Sequence, residues 1–237
     1  MILQTKSGVR ASLLGALAAL AAGAGPAAAA ARPLTVVELF QSQGCSSCPP
    51  ANANINALAD RPDLLVLSYG VTYWDNLGWK DTFASPRNTA RQWAYARGLG
   101  HSNVGTPQVV LNGREDLVGT NRPGLEAAIR AATPSAAVEV VVAGDEVQVR
   151  GPAAKARPAD VWLVRYDPRV EWVPIKRGEN GGKTLPHRNI VKQFVRLGRW
   201  SGGAGAYRLP APADPALSTA ILVQVEDGGP VLGASKL

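Results

Sequence analysis

The residues whose types and spacing most directly suggest chemistry are the cysteines of Cys45-Ser46-Ser47-Cys48. They lie between an apolar, β-branched run, Leu34 to Phe40, and a segment, Pro49 to Ala59, that carries Ile55 and Leu58 at helical spacing. The pair therefore sits where a strand ends and a helix begins. A helix start presents unpaired N–H groups and the positive end of the backbone dipole, which stabilise a thiolate, the attacking form of cysteine. Pro49 and Pro50 fit the first helical turn, where a missing N–H costs least. Three chemistries suit such a pair: thiol–disulfide exchange, soft-metal binding and a structural staple. A staple across so short a loop contributes only about 2 kcal/mol on the chain-entropy estimate, against almost 5 for a hundred-residue loop. A metal site would want further soft or imidazole ligands, and the chain has only His101 and His187 to offer. Exchange is the favoured reading.

The elements that must position the pair follow from periodicity. After the first strand and helix, Leu64 to Tyr69 reads as a second strand, apolar throughout and so buried on both faces. Tyr73 to Ala84 is an aromatic-rich loop. Ser85-Pro86 then caps a helix running to about Arg97. Pro107 to Leu111 is a third strand, Asn112-Gly113 a hairpin turn, and Glu115 to Val118 a fourth strand. Asn121 and Pro123 open a last helix ending near Ala132. Past Thr133-Pro134-Ser135 the character changes. Val138–Val142, Val147–Arg150, Val161–Tyr166, Val170–Ile175, Ile190–Leu197 and Ala220–Val225 all read as strands, with no convincing helix among them. The expectation is an α/β domain over 32–134, then a mainly antiparallel all-β domain over 135–237, a sandwich or barrel.

Composition excludes several classes. The chain has 237 residues, 46% hydrophobic and 18% charged, which is globular rather than disordered, and its 25 glycines and 18 prolines follow no period. Lys6 and Arg10, the apolar run Ala11–Ala22, the break at Gly23–Pro26 and the small residues Ala27–Ala31 have the order of a cleaved export signal over residues 1–31. Its removal leaves no integral membrane segment and 23 basic against 18 acidic residues. These charges are scattered singly, so no nucleic-acid partner is expected. The expected location is periplasmic or secreted, where thiols can be oxidised and stay so. No dinucleotide fingerprint, P-loop or Ser-His-Asp set is present, and no cofactor is expected.

Element order, the cysteine pair at the strand-to-helix junction and Thr106-Pro107 opening the third strand together resemble the thioredoxin fold. More specifically, the chain resembles a bacterial family of secreted thioredoxin-like proteins, domain-of-unknown-function family 1223. The resemblance rests on Val37-Glu38-Leu39-Phe40-Gln41-Ser42-Gln43-Gly44-Cys45-Ser46-Ser47-Cys48-Pro49-Pro50, on Tyr73-Trp74-Asp75-Asn76-Leu77-Gly78-Trp79-Lys80-Asp81, on Thr106-Pro107-Gln108, and on Arg177-Gly178-Glu179-Asn180 with Leu185 to Val191. It implies that Cys45 attacks and Cys48 resolves, with a protein or small-molecule thiol or disulfide as partner. It implies a cis Thr106–Pro107 bond facing the pair and leaving the Thr106 backbone free to bond a substrate. Glu38 stands near where thioredoxins carry a buried acid that handles the resolving thiol's proton; its other reading is an outward-facing strand residue. Where the family tends to carry His and Asp before the Tyr-Trp-Asp segment, this chain has Gly70 and Thr72, so no proton or metal role falls there.

Two further groups have double readings. Trp74 and Trp79, with Asp75 and Asp81, either anchor their loop or form a substrate-binding lip over the cysteines. Asn180-Gly181-Gly182 is a hairpin tip, and the polar residues around it are either a solvated rim or a patch that docks a partner or closes over the cysteine site. Two alternatives to exchange carry forward: a soft-metal (copper) chaperone using both thiolates, and a binding module with a non-catalytic disulfide.

Overall fold

The structure is a computed structural model that describes residues 1–4, 33–134, 137–152 and 157–237. The expected export signal lies, from residue 5 onward, outside the described residues. The first strand, β1 (Thr35–Gln41), leads through a tight turn to helix α1 (Cys48–Leu58), strand β2 (Leu64–Gly70) and helix α2 (Pro86–Leu99). Strands β3 (Gln108–Leu111) and β4 (Glu115–Leu117) and helix α3 (Arg122–Ala131) follow. The helix starts obey the expected capping. Ser85 Oγ accepts from Asn88 N at 3.2 Å and Asn121 Oδ1 accepts from Gly124 N at 3.1 Å, each with proline in the first turn.

The remainder is strand: β5 (Glu139–Ala143), β6 (Glu146–Gly151), β7 (Ala159–Asp167), β8 (Glu171–Pro174), β9 (Thr184–His187), β10 (Ile190–Trp200), β11 (Gly203–Arg208), β12 (Ser218–Val225) and β13 (Val231–Lys236). Strands β9, β11 and β13 are not evident from periodicity. Two of them, Gly203–Arg208 and Val231–Lys236, are rich in glycine and alanine and lack the β-branched run that marks the others.

The expected fold class, a thioredoxin-like α/β domain followed by an all-β sandwich or barrel, is overturned. A single mixed sheet of eight strands, in the order β13-β12-β7-β10-β2-β1-β3-β4, draws on both halves of the chain. The junction is β2 against β10. Ile190 pairs with Ser68 in parallel, Ser68 N donates to Asn189 O at 2.9 Å, and Asn189 Nδ2 donates to Val66 O at 2.8 Å. Burial of β2 on both faces is the reason such a neighbour is needed: an apolar strand left at an edge would expose an unpaired ladder. The described residues from 33 to 237 accordingly make one compact unit.

The sheet has one continuous face and one divided face. Val36, Phe40, Leu67, Tyr69, Val164 and Leu222 form a core under α2. On the opposite face, Val37, Leu39 and Val66 pack against Ala51 and Ile55 of α1 and Leu125 of α3. Further along that face, Val161, Leu163, Ile221 and Val223 pack against Val140, Val147 and Val149 of a three-stranded sheet, β11-β6-β5. Strands β8 and β9 form a separate hairpin, whose tip reaches the cysteine turn.

Candidate functional site

Cys45 and Cys48 form a disulfide, with their Cα atoms 5.4 Å apart. The turn that holds them is closed by Cys45 N donating to Ser42 O at 3.1 Å and Cys48 N donating to Cys45 O at 3.2 Å. Helix α1 begins at Cys48 itself, has Pro49 and Pro50 in its first turn, and carries no acidic residue there. Pro49 and Pro50 carry no N–H and Cys48 N is bonded to Cys45 O, so what this helix start offers the cysteine turn is the positive end of its dipole, with no carboxylate from the helix to neutralise it.

The Thr106–Pro107 bond is cis, and Pro107 is buried. Thr106 O lies 3.7 Å from Cys45 Sγ and 3.4 Å from Ser47 Oγ, whose hydroxyl donates to it. Helix α2 fixes this loop from behind, because Gln92 Nε2 donates to Gly105 O at 2.8 Å and to Gln108 Oε1 at 2.9 Å. Trp74 braces it from the side through its indole N–H to Thr106 Oγ1 at 2.8 Å. An open groove of about 530 Å³ runs outward from here, lined by Ser47, Thr106, Pro107, Leu117 and Val118 among others.

The aromatic loop is tied down through its polar groups. Trp79 Nε1 donates to Gln43 Oε1 at 2.9 Å, while Asp81 accepts from Gln43 N and from Phe83 N, each at 2.7 Å. Burial pushes the Asp81 carboxyl above its ordinary range, and these backbone N–H groups pull the other way. The anchoring role thus has direct hydrogen bonds behind it, and Trp74 also stands beside Thr106. At Gly70 a Cβ would come within 2.8 Å of Phe83 C and Ala84 N, so the chain path leaves no room for a side chain where the resembling family tends to carry one.

The hydrogen bonds of Glu38 run to α2 and not to the cysteine turn. Strand alternation points it to the α2 face, whereas Val37 and Leu39 point to α1. There it is fully buried and holds Arg91 through two bonds, Nε to Oε1 at 2.8 Å and Nη2 to Oε2 at 2.9 Å, and it accepts from the Tyr95 hydroxyl. Arg91 Nη1 reaches on to Gln224 Oε1 of β12 at 3.1 Å. This placement gives Glu38 a structural role joining α2 to the sheet, and neither reading of it from sequence anticipated the ion pair.

The β8–β9 hairpin, read from sequence as a tip with two possible roles, supplies contacts to the cysteine turn that the sequence did not specify. Asn180 is fully buried and its Nδ2 donates to Gln43 O at 2.9 Å and to Cys45 O at 2.8 Å. Glu179 accepts from Ser46 N at 3.0 Å. The tip is itself rigidly built: Gly181 N donates to Gly178 O, Lys183 N to Asn180 O, Gly182 N to Ile175 O, and Lys183 Nζ to Asn180 Oδ1 at 2.9 Å. Gly178 has φ +76°, and a Cβ there would approach Trp79 Cβ to 3.4 Å. Of the two readings of this segment, closure over the cysteine turn is the one seen. It leaves Cys45 with 0% and Cys48 with 1% of its surface exposed, so Cys45 is more enclosed than an attacking thiol on the surface would be.

His187, weighed in the sequence only as one of two imidazoles, packs between the hairpin and α1. It is 1% exposed, set edge-on against Phe83, with Nδ1 3.4 Å from Asn52 Nδ2 of α1. Burial lowers its pKa to about 4, so it is neutral at physiological pH. Asn52 and Asn56 both donate to Pro186 O, at 2.6 and 3.0 Å, which lays β9 along α1 one turn beyond Cys48. Among the described residues, no group of three or more His, Cys, Asp or Glu side chains gathers to hold a metal ion, and no helix is long and apolar enough to cross a membrane.

Comparison with known proteins gives a consistent family assignment. The family model described as a protein of unknown function (DUF1223) matches residues 36–224. A crystal structure of a protein from Agrobacterium tumefaciens is similar at 34% identity, covering 87% of this chain and 94% of that one, with a TM-score of 0.71. HBP35 of Porphyromonas gingivalis is similar in fold alone, at 13% identity and a TM-score of 0.55 over 87% of this chain and 75% of that one. No curated protein matches. The chain belongs to the DUF1223 family, whose function is unknown.

Proposed function

We propose that the protein is an exported thiol–disulfide exchange protein acting through Cys45 and Cys48 on a protein or small-molecule partner. The observation that carries this reading is the disulfide at the start of α1, with the Thr106 carbonyl 3.7 Å from Cys45 Sγ. In the reducing direction the Cys45 thiolate attacks one sulfur of the partner's disulfide, forming a mixed disulfide and releasing the partner's other sulfur as thiolate. The Cys48 thiol then loses its proton and attacks Cys45 Sγ. The Cys45–Cys48 bond re-forms, the second partner sulfur leaves as thiolate, and two electrons have passed to the partner. The oxidising direction is the same sequence reversed.

The helix dipole favours the Cys45 thiolate, and the Ser47 hydroxyl, 3.3 Å from Cys45 Sγ, can turn its one proton from Thr106 O to the sulfur once that is charged. The groove beside Thr106 and Pro107, lined also by Ser47 and braced by Trp74, is the place where a partner would dock, and reaching the buried pair from it requires the cysteine turn to open. Release from the cell through the expected signal would supply the oxidising surroundings in which such a pair cycles. The test is trapping. Incubated with a disulfide-bonded partner, the Cys48→Ser variant accumulates a mixed disulfide at Cys45, and the Cys45→Ser variant accumulates none at Cys48. Equal trapping by both, or by neither, removes the reading.

A further inference from the structure

A carboxylate that bonds the cysteine turn between its two cysteines comes from across the molecule. Glu179, on the tip between β8 and β9, accepts from Ser46 N at 3.0 Å, and Ser46 follows Cys45 directly. The contact has two consequences for a thiolate at Cys45. It engages the N–H of the residue that follows Cys45, so that N–H is not free for the sulfur, and it sets a negative charge near the position where the second one forms. Neither consequence weakens the disulfide, which carries no charge.

We propose that Glu179 is a positioning residue that sets the reducing strength of the Cys45–Cys48 pair, its carboxylate capping the cysteine turn in the disulfide state and opposing the Cys45 thiolate in the dithiol state. This rests on the exchange reading above. The electrostatic sign follows directly: whatever disfavours the thiolate disfavours the reduced form, so Glu179 makes the pair a stronger reductant than the helix start alone would. The bonds to Ser46 hold the Glu179 carboxyl below its usual range, so it is ionised wherever a thiolate exists. The other charged groups are accounted for. Helix α1 has no acidic residue in its first turn. Asp81, from the aromatic loop, is turned to Gln43 N and Phe83 N, and Lys183 is bound to Asn180 Oδ1. These stay unchanged when Glu179 alone is altered.

Glu179→Gln isolates the charge, because the amide oxygen can still accept from Ser46 N. The reduction potential of the pair is measured against glutathione buffers, and the Cys45 thiolate is titrated by its absorbance, in wild type and variant. The expected result is about a two- to fivefold shift of the exchange equilibrium toward the dithiol, or about 10–20 mV less negative, with a matching fall in the Cys45 pKa. The shift should shrink in 1 M salt, because Glu179 is exposed and its charge is screened. A variant that folds and cycles with an unchanged potential and Cys45 titration overturns the proposal while leaving the exchange reading intact. A wild-type pair with no measurable potential overturns both.

Discussion

Substitution of Glu38 by glutamine separates a structural ion pair from a catalytic acid. In the folded protein Glu38 and Arg91 make a two-bond pair with 0% and 5% of their side chains exposed, and Tyr95 and Gln224 complete the surroundings. Burial opposes the charged form of Arg91, but the Glu38 carboxylate outweighs it and holds the guanidinium above its ordinary value. Glu38→Gln leaves that cation buried with only neutral partners. Loss of one partner from such a pair costs about 3–5 kcal/mol. For a unit of this size that corresponds to a fall in Tm of roughly 6–20 °C. Because the guanidinium is the source of the cost, Glu38→Met combined with Arg91→Met should lose less than Glu38→Gln does. Thermal and urea unfolding measure stability, and the pH profile of thiol exchange, taken well below the lowered Tm, measures chemistry. An unchanged Tm, or a pH profile moved by Glu38→Gln, would refute the placement of Glu38 on the α2 face.

Two further perturbations test the surroundings of the pair. Folded His187 has a pKa near 4, below the unfolded value of about 6.5, so below that value the unfolded chain binds a proton that the folded chain does not. Stability is then complete above about pH 6.5 and falls by up to about 3 kcal/mol as pH drops toward 4. Urea midpoints at pH 7 and 4.5 should show this, and His187→Asn should flatten the difference; an equal slope in the variant would contradict it. Asn180→Ala leaves the Gln43 and Cys45 carbonyls without their shared donor and should cost about 1–3 kcal/mol. In the reduced protein it should also speed alkylation of Cys45 by a neutral reagent. An unchanged alkylation rate would mean that the hairpin tip does not limit access.

What could be read from the sequence is local. The cysteine turn, the proline-capped helix start and the Thr106-Pro107 approach rest on residues close in the chain or on a strong resemblance. The face of Glu38 does not. All seven residues of Thr35–Gln41 are buried, so the strand has no polar side to reveal orientation, and Arg91 lies in a helix whose buried positions include Asn88 and Gln92 as well as Tyr95. The hairpin is legible as a tip with closure as one of its two readings, but its contacts are not. Asn180 acts on Cys45 from 135 positions away, through a short polar turn with no periodic signature. The single sheet depends on β10 entering beside β2, a pairing carried by Ile190 and Asn189. Two-sided burial of Leu64–Tyr69 signals that some neighbour exists, but not that it comes from the other half of the chain.

The central claim is that Cys45 and Cys48 exchange a disulfide with partners rather than staple a turn. The most direct measurement is the equilibrium of the pair with reduced and oxidised glutathione, read by thiol alkylation and mass. The account predicts a reversible two-electron transition within roughly −120 to −270 mV, the range of known exchange proteins. A pair that stays oxidised across every buffer, as a structural disulfide below about −300 mV does, would contradict it.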